Sequence, residues 1–512
     1  MEAQIRGRAA ATAGLLAGAA AIGLNELLAG VLGGAPSLIS GIGQAIIALQ
    51  PAGAKQLVVD IFGDADKLAL LVAVALAALA VSAGLGVLAR RRRALSSAGF
   101  ALFGVLGLAA SIAQPMVDPI LAVIVVALSV AVAIWVRNRL FDAATRPPGA
   151  APRAEMPDWA RRRFLGTSLA VAGAAVVGGT VGRVLLARQE SRAALVPPLP
   201  SPATSAAPLA GSASLAVDGL TPIVVPTRDF YRIDTQLLTP RLDASTWQLT
   251  VNGMVDRQLT FRYADLVAMP QVEEYVTLAC VSNEVGGNLV GNARWSGVPL
   301  RHVLDMAGVQ EGATQLVGRS FDNWTAGVPT SWLDDPKRVA LIALGMNGEP
   351  LPAEHGYPAR LVIPGLYGYV ANTKWLVNID LTTLQSFDAY WVRLGWAKEG
   401  PILTQSRIDT PAGGRTVQAG TVPVAGVAWA PERGIRRVEV QVDDGPWSEA
   451  ELSTPISVAT WVQFVYRWAA QPGRHQLRVR ATDGTGALQP QGPTPPEPDG
   501  ARGYHTVEVN VQ

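Results

Sequence analysis

The sequence predicts three parts in series: an N-terminal α-helical membrane domain of about five spans, an α+β domain, and a C-terminal immunoglobulin-like β-sandwich. Three observations predict it. Apolar runs that approach or reach the ~20 residues needed to cross a bilayer fill the first part of the chain. A Pro/Ala/Ser-rich stretch at 191–214 closes that part. Beyond residue 402 the pattern is strands alone, with period-two alternation and turn residues between them. The mean hydropathy of +0.26 therefore averages two unlike halves.

Within the membrane domain (1–190), spans are expected at about 9–32, 68–89, 97–114, 119–136 and 164–187. The third and fourth are separated by Gln114-Pro115-Met116-Val117-Asp118-Pro119, a two-proline turn that predicts a tight helical hairpin. Segment 35–50 is apolar but interrupted by Gly and Pro, and reads as an interfacial loop. Arginines cluster at alternate loops: Arg6 and Arg8, Arg90 to Arg93, then Arg137, Arg139, Arg146, Arg153 and Arg161 to Arg163. Basic flanks stay on the cytoplasmic side, so five spans place everything beyond residue 190 outside. Arg161-Arg162-Arg163-Phe164-Leu165, followed by a small-residue apolar helix, looks like an internal twin-arginine export signal; the plain alternative is a topology-setting cluster. The four histidines, His302, His355, His475 and His505, all lie outside the spans, which excludes bis-histidine haem there and makes the helices an anchor or docking surface.

The stretch 191–214 is expected to be an extended, hydrated spacer. From 215 to 401, strands such as Trp247–Val251 mix with amphipathic helical stretches such as Pro299–Ala307, an α+β pattern. From 402 to 512, strands are expected at 417–429, 437–442, 463–469, 476–482 and 504–511, with turns at Asp443-Asp444-Gly445 and Asp483-Gly484. The basic run Arg433 to Arg437 reads as a solvated strand edge.

Lys+Arg 42 against Asp+Glu 40 gives none of the polyelectrolyte character that nucleic-acid binding needs. A single cysteine, Cys280, forbids an intrachain disulfide. It ends a strand-like run and precedes the loop Gly286-Gly287-Asn288, where a rigid scaffold presents functional groups; the bland alternative is a small buried hydrophobe.

Several separate stretches carry a family resemblance. Asp229-Phe-Tyr231-Arg232-Ile-Asp234 leads to Trp247-Gln-Leu-Thr-Val-Asn-Gly253, and Leu278-Ala-Cys280-Val-Ser-Asn283 leads to Ala293-Arg-Trp295-Ser-Gly-Val-Pro-Leu300. The longest runs from Ala343-Leu-Gly-Met-Asn-Gly-Glu-Pro-Leu-Pro352 through His355-Gly-Tyr-Pro-Ala-Arg360 to Lys374-Trp-Leu376. Across nearly all of 215–401 the chain resembles the molybdopterin-binding domain of the sulfite oxidase family, and 402–512, with Gly426-Val-Ala-Trp429 and Val438-Glu-Val-Gln-Val-Asp443, resembles that family's dimerisation domain. The resemblance implies a molybdenum–molybdopterin cofactor, with Cys280 as metal ligand, Cys280 and Arg232 as catalytic residues, and Tyr231, Arg232, Asp322, His355, Arg360 and Lys374 holding the cofactor. Asp322 reads equally as a turn cap. The chemistry of these residue types agrees: molybdenum takes soft sulfur donors, one thiolate completes a sphere holding two pterin sulfurs, and the pterin phosphate asks for Arg, Lys and backbone N–H donors.

The expected partners are a small-molecule substrate, a separate redox protein, the membrane, and a second copy of the chain through the C-terminal domain. Two departures bear on substrate. Family members follow the cysteine with Gly-Asn-Arg, whereas Cys280 is followed by Val281-Ser282-Asn283-Glu284; and Trp396 stands where a tyrosine is expected. Alternatives are a sulfoxide reductase of the methionine sulfoxide type and a cofactor-free, membrane-tethered binding protein on the same fold.

Overall fold

A computed structural model describes residues 7–50, 58, 61–62, 65–112, 114, 116–144, 159–191 and 198–512. Arg6, Pro115, Arg146, Arg153 and residues 192–197 of the Pro/Ala/Ser stretch lie outside them. The chain forms two units, one of Met1–Ala193 with Thr235–Arg241, the other of Ala194–Asp234 with Leu242–Gln512.

The first unit holds α1 (Gly7–Val31), α2 (Leu38–Leu49), α3 (Asp66–Ala89), α4 (Arg93–Ile112), α5 (Pro119–Ala144) and α6 (Trp159–Ser191). Among the described residues five helices are long and apolar enough to cross a membrane: α1, α3, α4, α5, and Arg161–Ala187 within α6. Segment 35–50, expected as a loop, is instead helix α2 over most of its length. Ser37 caps it by accepting from the Ser40 N–H at 3.2 Å. Its glycines serve close packing, Gly41 lying against Ser111 of α4. Its 12 residues, roughly 18 Å of rise, fall short of the bilayer core. Helices α1 and α3 touch backbone to backbone, since a β-carbon on Gly14 would collide with the Ser82 carbonyl. Near the other end of α1, Glu26 is buried against Arg183 of α6 at 2.8 Å and accepts from Ser37 at 2.6 Å.

The second unit contains four sheets. One runs β2 (Leu259–Arg262), β1 (Gln248–Gly253), β10 (Leu376–Thr382), β5 (Gln315–Ser320), β6 (Thr325–Pro329). Another runs β3 (Val272–Ala279), β4 (Val290–Pro299), β7 (Leu341–Met346), β8 (Glu349–Pro350), with β9 (Arg360–Val362) also on β7. With α7 (Tyr263–Ala268), α8 (Leu300–Ala307) and α9 (Gly368–Ala371) they enclose one apolar core that includes Leu249, Leu278, Trp295, Leu316 and Ile379. Strand β1 buries alternate residues, as its sequence pattern requires, and pairs in parallel with β10, Thr250 opposite Asn378.

The remaining two sheets run β11 (Gln405–Thr410), β13 (Gly420–Trp429), β17 (Val462–Ala470), β16 (Glu451–Leu452), and β12 (Thr416–Val417), β19 (His505–Val511), β18 (Gly473–Asp483), β14 (Ile435–Val442), β15 (Ser448–Glu449). A second core, with Val424, Val438, Phe464, Leu477 and Val509, draws on both. The run expected as one strand at 417–429 is two strands in different sheets. Gly420, at φ +127°, makes the change of direction that an L side chain resists. Arg433, expected in solvent, pairs with Asp483 at 2.9 Å and donates to the Ile402 carbonyl; Arg436 and Arg437 are exposed as expected.

The described part of the Pro/Ala/Ser stretch differs from a free hydrated spacer. Thr204 bridges Val272, the Ala203 N–H donates to Gln271 and the Glu273 N–H to Thr204. Proline removes donors but leaves every carbonyl able to extend the edge of β3.

Candidate active site

Strand β3 ends at Ala279, paired with Val290 of β4, and the chain leaves the sheet at Cys280. The Cys280 N–H donates to the Leu289 carbonyl at 2.9 Å, and the Cys280 carbonyl accepts from Asn283 at 3.1 Å. Asn283 closes the loop again by accepting from the Leu289 N–H at 2.8 Å. The half-buried thiol is thus presented at the strand end on a loop tied at both ends.

A second cluster is organised around Gly356, whose φ of +111° turns the chain between His355 and Arg360. A β-carbon there would lie 3.0 Å from that of Lys374 and 3.1 Å from that of Arg360, so glycine lets the two cations converge. Lys374 donates to Asp234 at 2.9 Å and to the Glu354 carbonyl at 3.1 Å. Asp234, its side chain buried, also faces Arg232 at 3.2 Å. Burial lowers Lys374 to about 8, with Asp234 opposing and Arg360 and Arg232 adding to the shift. The next residue, Trp375, sits at φ +50°, held by its indole N–H donating to the Ala353 carbonyl at 2.7 Å.

Arg360 is buried, stacks on the Trp295 ring at 4.8 Å and donates from Nη1 to the His355 carbonyl at 3.0 Å. Its Nε has no hydrogen-bond partner. Burial lowers Arg360 to about 10. His355, expected to face a ligand from a turn-rich loop, is buried, and its Nε2 donates to the Thr227 carbonyl at 3.0 Å. Burial, followed by Arg360, Lys374 and Arg232, pushes it down to about 4 and keeps the ring neutral. Tyr231 stacks on Phe230 at 5.1 Å; burial, and then Cys280, push its phenol up.

The structure thus brings Arg232, His355, Arg360 and Lys374 into one cluster, and Tyr231 interacts electrostatically with both Arg360 and Cys280. Asp322 caps the turn after β5 by accepting from the Trp324 N–H at 3.1 Å, and the neighbouring Phe321 N–H donates to the Trp375 carbonyl at 2.8 Å. Trp396 packs in an aromatic group, 5.9 Å from Tyr369 and 6.3 Å from Trp391.

Sequence reasoning missed Asp234, which was read only as part of a motif, and Tyr367, a buried phenol pushed up by burial and in part by Cys280. It also missed Asn372, whose amide nitrogen is buried without a partner. The Asp-Phe-Tyr-Arg-Ile-Asp run held a signal for the first, since an acid two residues after an arginine can pair with it.

The donor set fits a phosphate-bearing pterin. Arg232, Arg360 and Lys374 set against Asp234 are three cations and one carboxylate, leaving two positive charges for a phosphate dianion. The unpartnered donors Arg360 Nε, Asn372 Nδ2 and Asn283 Nδ2 are the kind of buried group that a bound ligand satisfies.

Residues 236–391 match the family described as oxidoreductase molybdopterin binding domain. The chain is 30% identical to human mitochondrial sulfite oxidase over 302 residues, half of this chain and 55% of that one. It is 34% identical to the uncharacterized oxidoreductase YuiH of Bacillus subtilis over 159 residues, 31% of this chain and 76% of that one. The sulfane dehydrogenase SoxCD of Paracoccus pantotrophus overlays with a TM-score of 0.49 at 23% identity, covering 58% of this chain and 85% of that one. The chain spans about half the length of the sulfite oxidases it matches.

Proposed function

The chain belongs to the sulfite oxidase family of molybdopterin-dependent oxidoreductases, and on that premise we propose that it is a membrane-anchored enzyme of two-electron oxo transfer on a small substrate, with its catalytic part outside the cytoplasmic membrane. The observation that carries this is the cation cluster about Gly356, two positive charges in excess and holding an unpartnered guanidinium nitrogen, in the same unit as a single strand-end thiol.

When bound, the molybdenum cofactor supplies a metal centre that exchanges an oxygen atom and two electrons with substrate. Cys280 is the protein's ligand to the metal. Arg360, Lys374 and Arg232 take the phosphate, Asp234 fixes the direction of the last two, and His355 stays a neutral spacer that adds no charge. Tyr231, which interacts electrostatically with both Cys280 and Arg360, would line the ligand side.

The alternating arginines support an outward-facing catalytic part, with Arg161-Arg162 as the export signal. Two sheets sharing one core support an immunoglobulin-like sandwich that offers a contact to a second copy. A separate redox protein would deliver or remove the electrons, a reading in keeping with a sequence that carries no Cys-x-x-Cys-His motif. Glu284, exposed on the Cys280 loop, favours a second reading of the substrate, a neutral sulfoxide in place of an anion, because a carboxylate on that loop repels sulfite.

The test is metal and pterin analysis of the full chain, purified from a host that makes the cofactor. About one molybdenum per chain is expected, lost in Cys280→Ser with the fold intact. A folded wild-type sample without molybdenum overturns the enzyme reading in favour of a binding protein.

A further inference from the structure

The loop Cys280–Leu289 is closed by its own hydrogen bonds at both ends, and its middle is gripped from the C-terminal sheets. Arg407, on β11, donates from Nη1 to the Gly287 carbonyl at 2.8 Å. The His505 ring, at the start of β19, lies so close to Gly286 (φ +81°) that a β-carbon there would collide with it. Both gripping groups are themselves fixed. Arg407 pairs through Nε with Asp409 at 2.6 Å and donates from Nη2 to Thr221 Oγ1 at 2.9 Å, while Asp409 accepts from the Thr221 N–H at 3.1 Å. His505 accepts at Nδ1 from the Ile408 N–H at 3.0 Å, which leaves its proton on Nε2, at the Gly286 side.

We propose that Arg407 and His505 are positioning residues of the active site, holding the loop after Cys280 in the conformation that presents its sulfur, so that the C-terminal sheets are an obligatory part of the catalytic unit. The proposal rests on Cys280 being the metal ligand. Three consecutive residues of β11 supply the grip: Arg407 the donor, Ile408 the anchor of the histidine, Asp409 the counter-charge. Strand β11 is held in antiparallel register along β13, from Gln405 opposite Trp429 to Ile408 opposite Gly426, so the loop is held to the sheet through that pairing. The guanidinium–carbonyl bond is charge-assisted and lies away from bulk water, where such a bond is strongest.

Cys280 is the chain's single cysteine, so its alkylation by iodoacetamide in the metal-free full chain reads the loop alone, without dependence on cofactor. Loss of one charge-assisted hydrogen bond in Arg407→Ala should speed alkylation about tenfold, with partial recovery in Arg407→Lys. His505→Asn, which keeps an acceptor for Ile408 and removes the ring over Gly286, should speed it several-fold at an unchanged melting temperature. In loaded enzyme the same variants should lower kcat with KM nearly constant. Wild-type alkylation rates in a folded variant overturn the proposal, and if Arg407→Ala does not fold, His505→Asn decides alone. A wild-type chain without molybdenum would sink the cofactor reading, while the alkylation rates would still report the grip.

Discussion

The Lys374 ammonium and the Arg232 guanidinium share one oxygen of Asp234, at 2.9 and 3.2 Å, on a carboxylate whose side chain is only 3% exposed. This arrangement holds two cations in one direction without cancelling the cluster's positive charge.

Lys374 carries the pH signature of that cluster. Its folded value of about 8 lies below its ordinary 10.5, so between those values the unfolded chain binds more protons. Stability of the cofactor-free protein should therefore rise as pH climbs from about 8 to 10.5, by roughly 3 kcal/mol, and Asp234→Asn should start that rise at lower pH. Thermal melts in detergent across this range check it.

Arg360→Lys keeps the charge but loses the flat stack on Trp295 and the Nε donor. Pterin retention should fall at least about tenfold, the worth of one good bidentate contact, with little change in melting temperature. Pterin fluorescence of the dialysed protein measures it.

Glu26, buried, pairs with the partly exposed Arg183 among apolar helices. Removing Arg183 leaves the buried Glu26 carboxyl with Ser37 alone, and Arg183→Ala should cost about 1–3 kcal/mol of stability. Reversal of both, Glu26→Arg with Arg183→Glu, should restore part of the yield of folded protein. No recovery would show that Ser37 and its neighbours accept only the native polarity.

Replacing Arg161 and Arg162 by Lys should retain residues beyond 190 in the cytoplasm, read by protease accessibility of intact spheroplasts. Normal export of the double variant would make the cluster a topology determinant only.

The five helices long and apolar enough to cross a membrane were legible because a run of about 20 apolar residues is a local property. The end of β3 at Ala279 was legible because a strand-like run followed by a glycine loop marks a strand end. Segment 35–50 was misread because glycine breaks an isolated helix yet favours one that packs closely, as Gly41 does against Ser111. Strand β11 went unnoticed because Arg407 and Asp409 interrupt its apolar pattern, and what they bind lies about 120 and 190 residues earlier in the chain.

By itself the sequence determined which chemistry is available: one thiol, the His-Gly-Tyr-Pro-Ala-Arg and Lys-Trp-Leu motifs, and long apolar segments without histidine. Only the tertiary structure decided which of these groups share a charge, that Asp234 joins Lys374 across 140 residues, and that β11 and β19 grip the Cys280 loop. Residue type and periodicity are set within a few neighbours along the chain, whereas the partner of a buried charge is set by sheet pairing and packing between distant segments, which no local window contains.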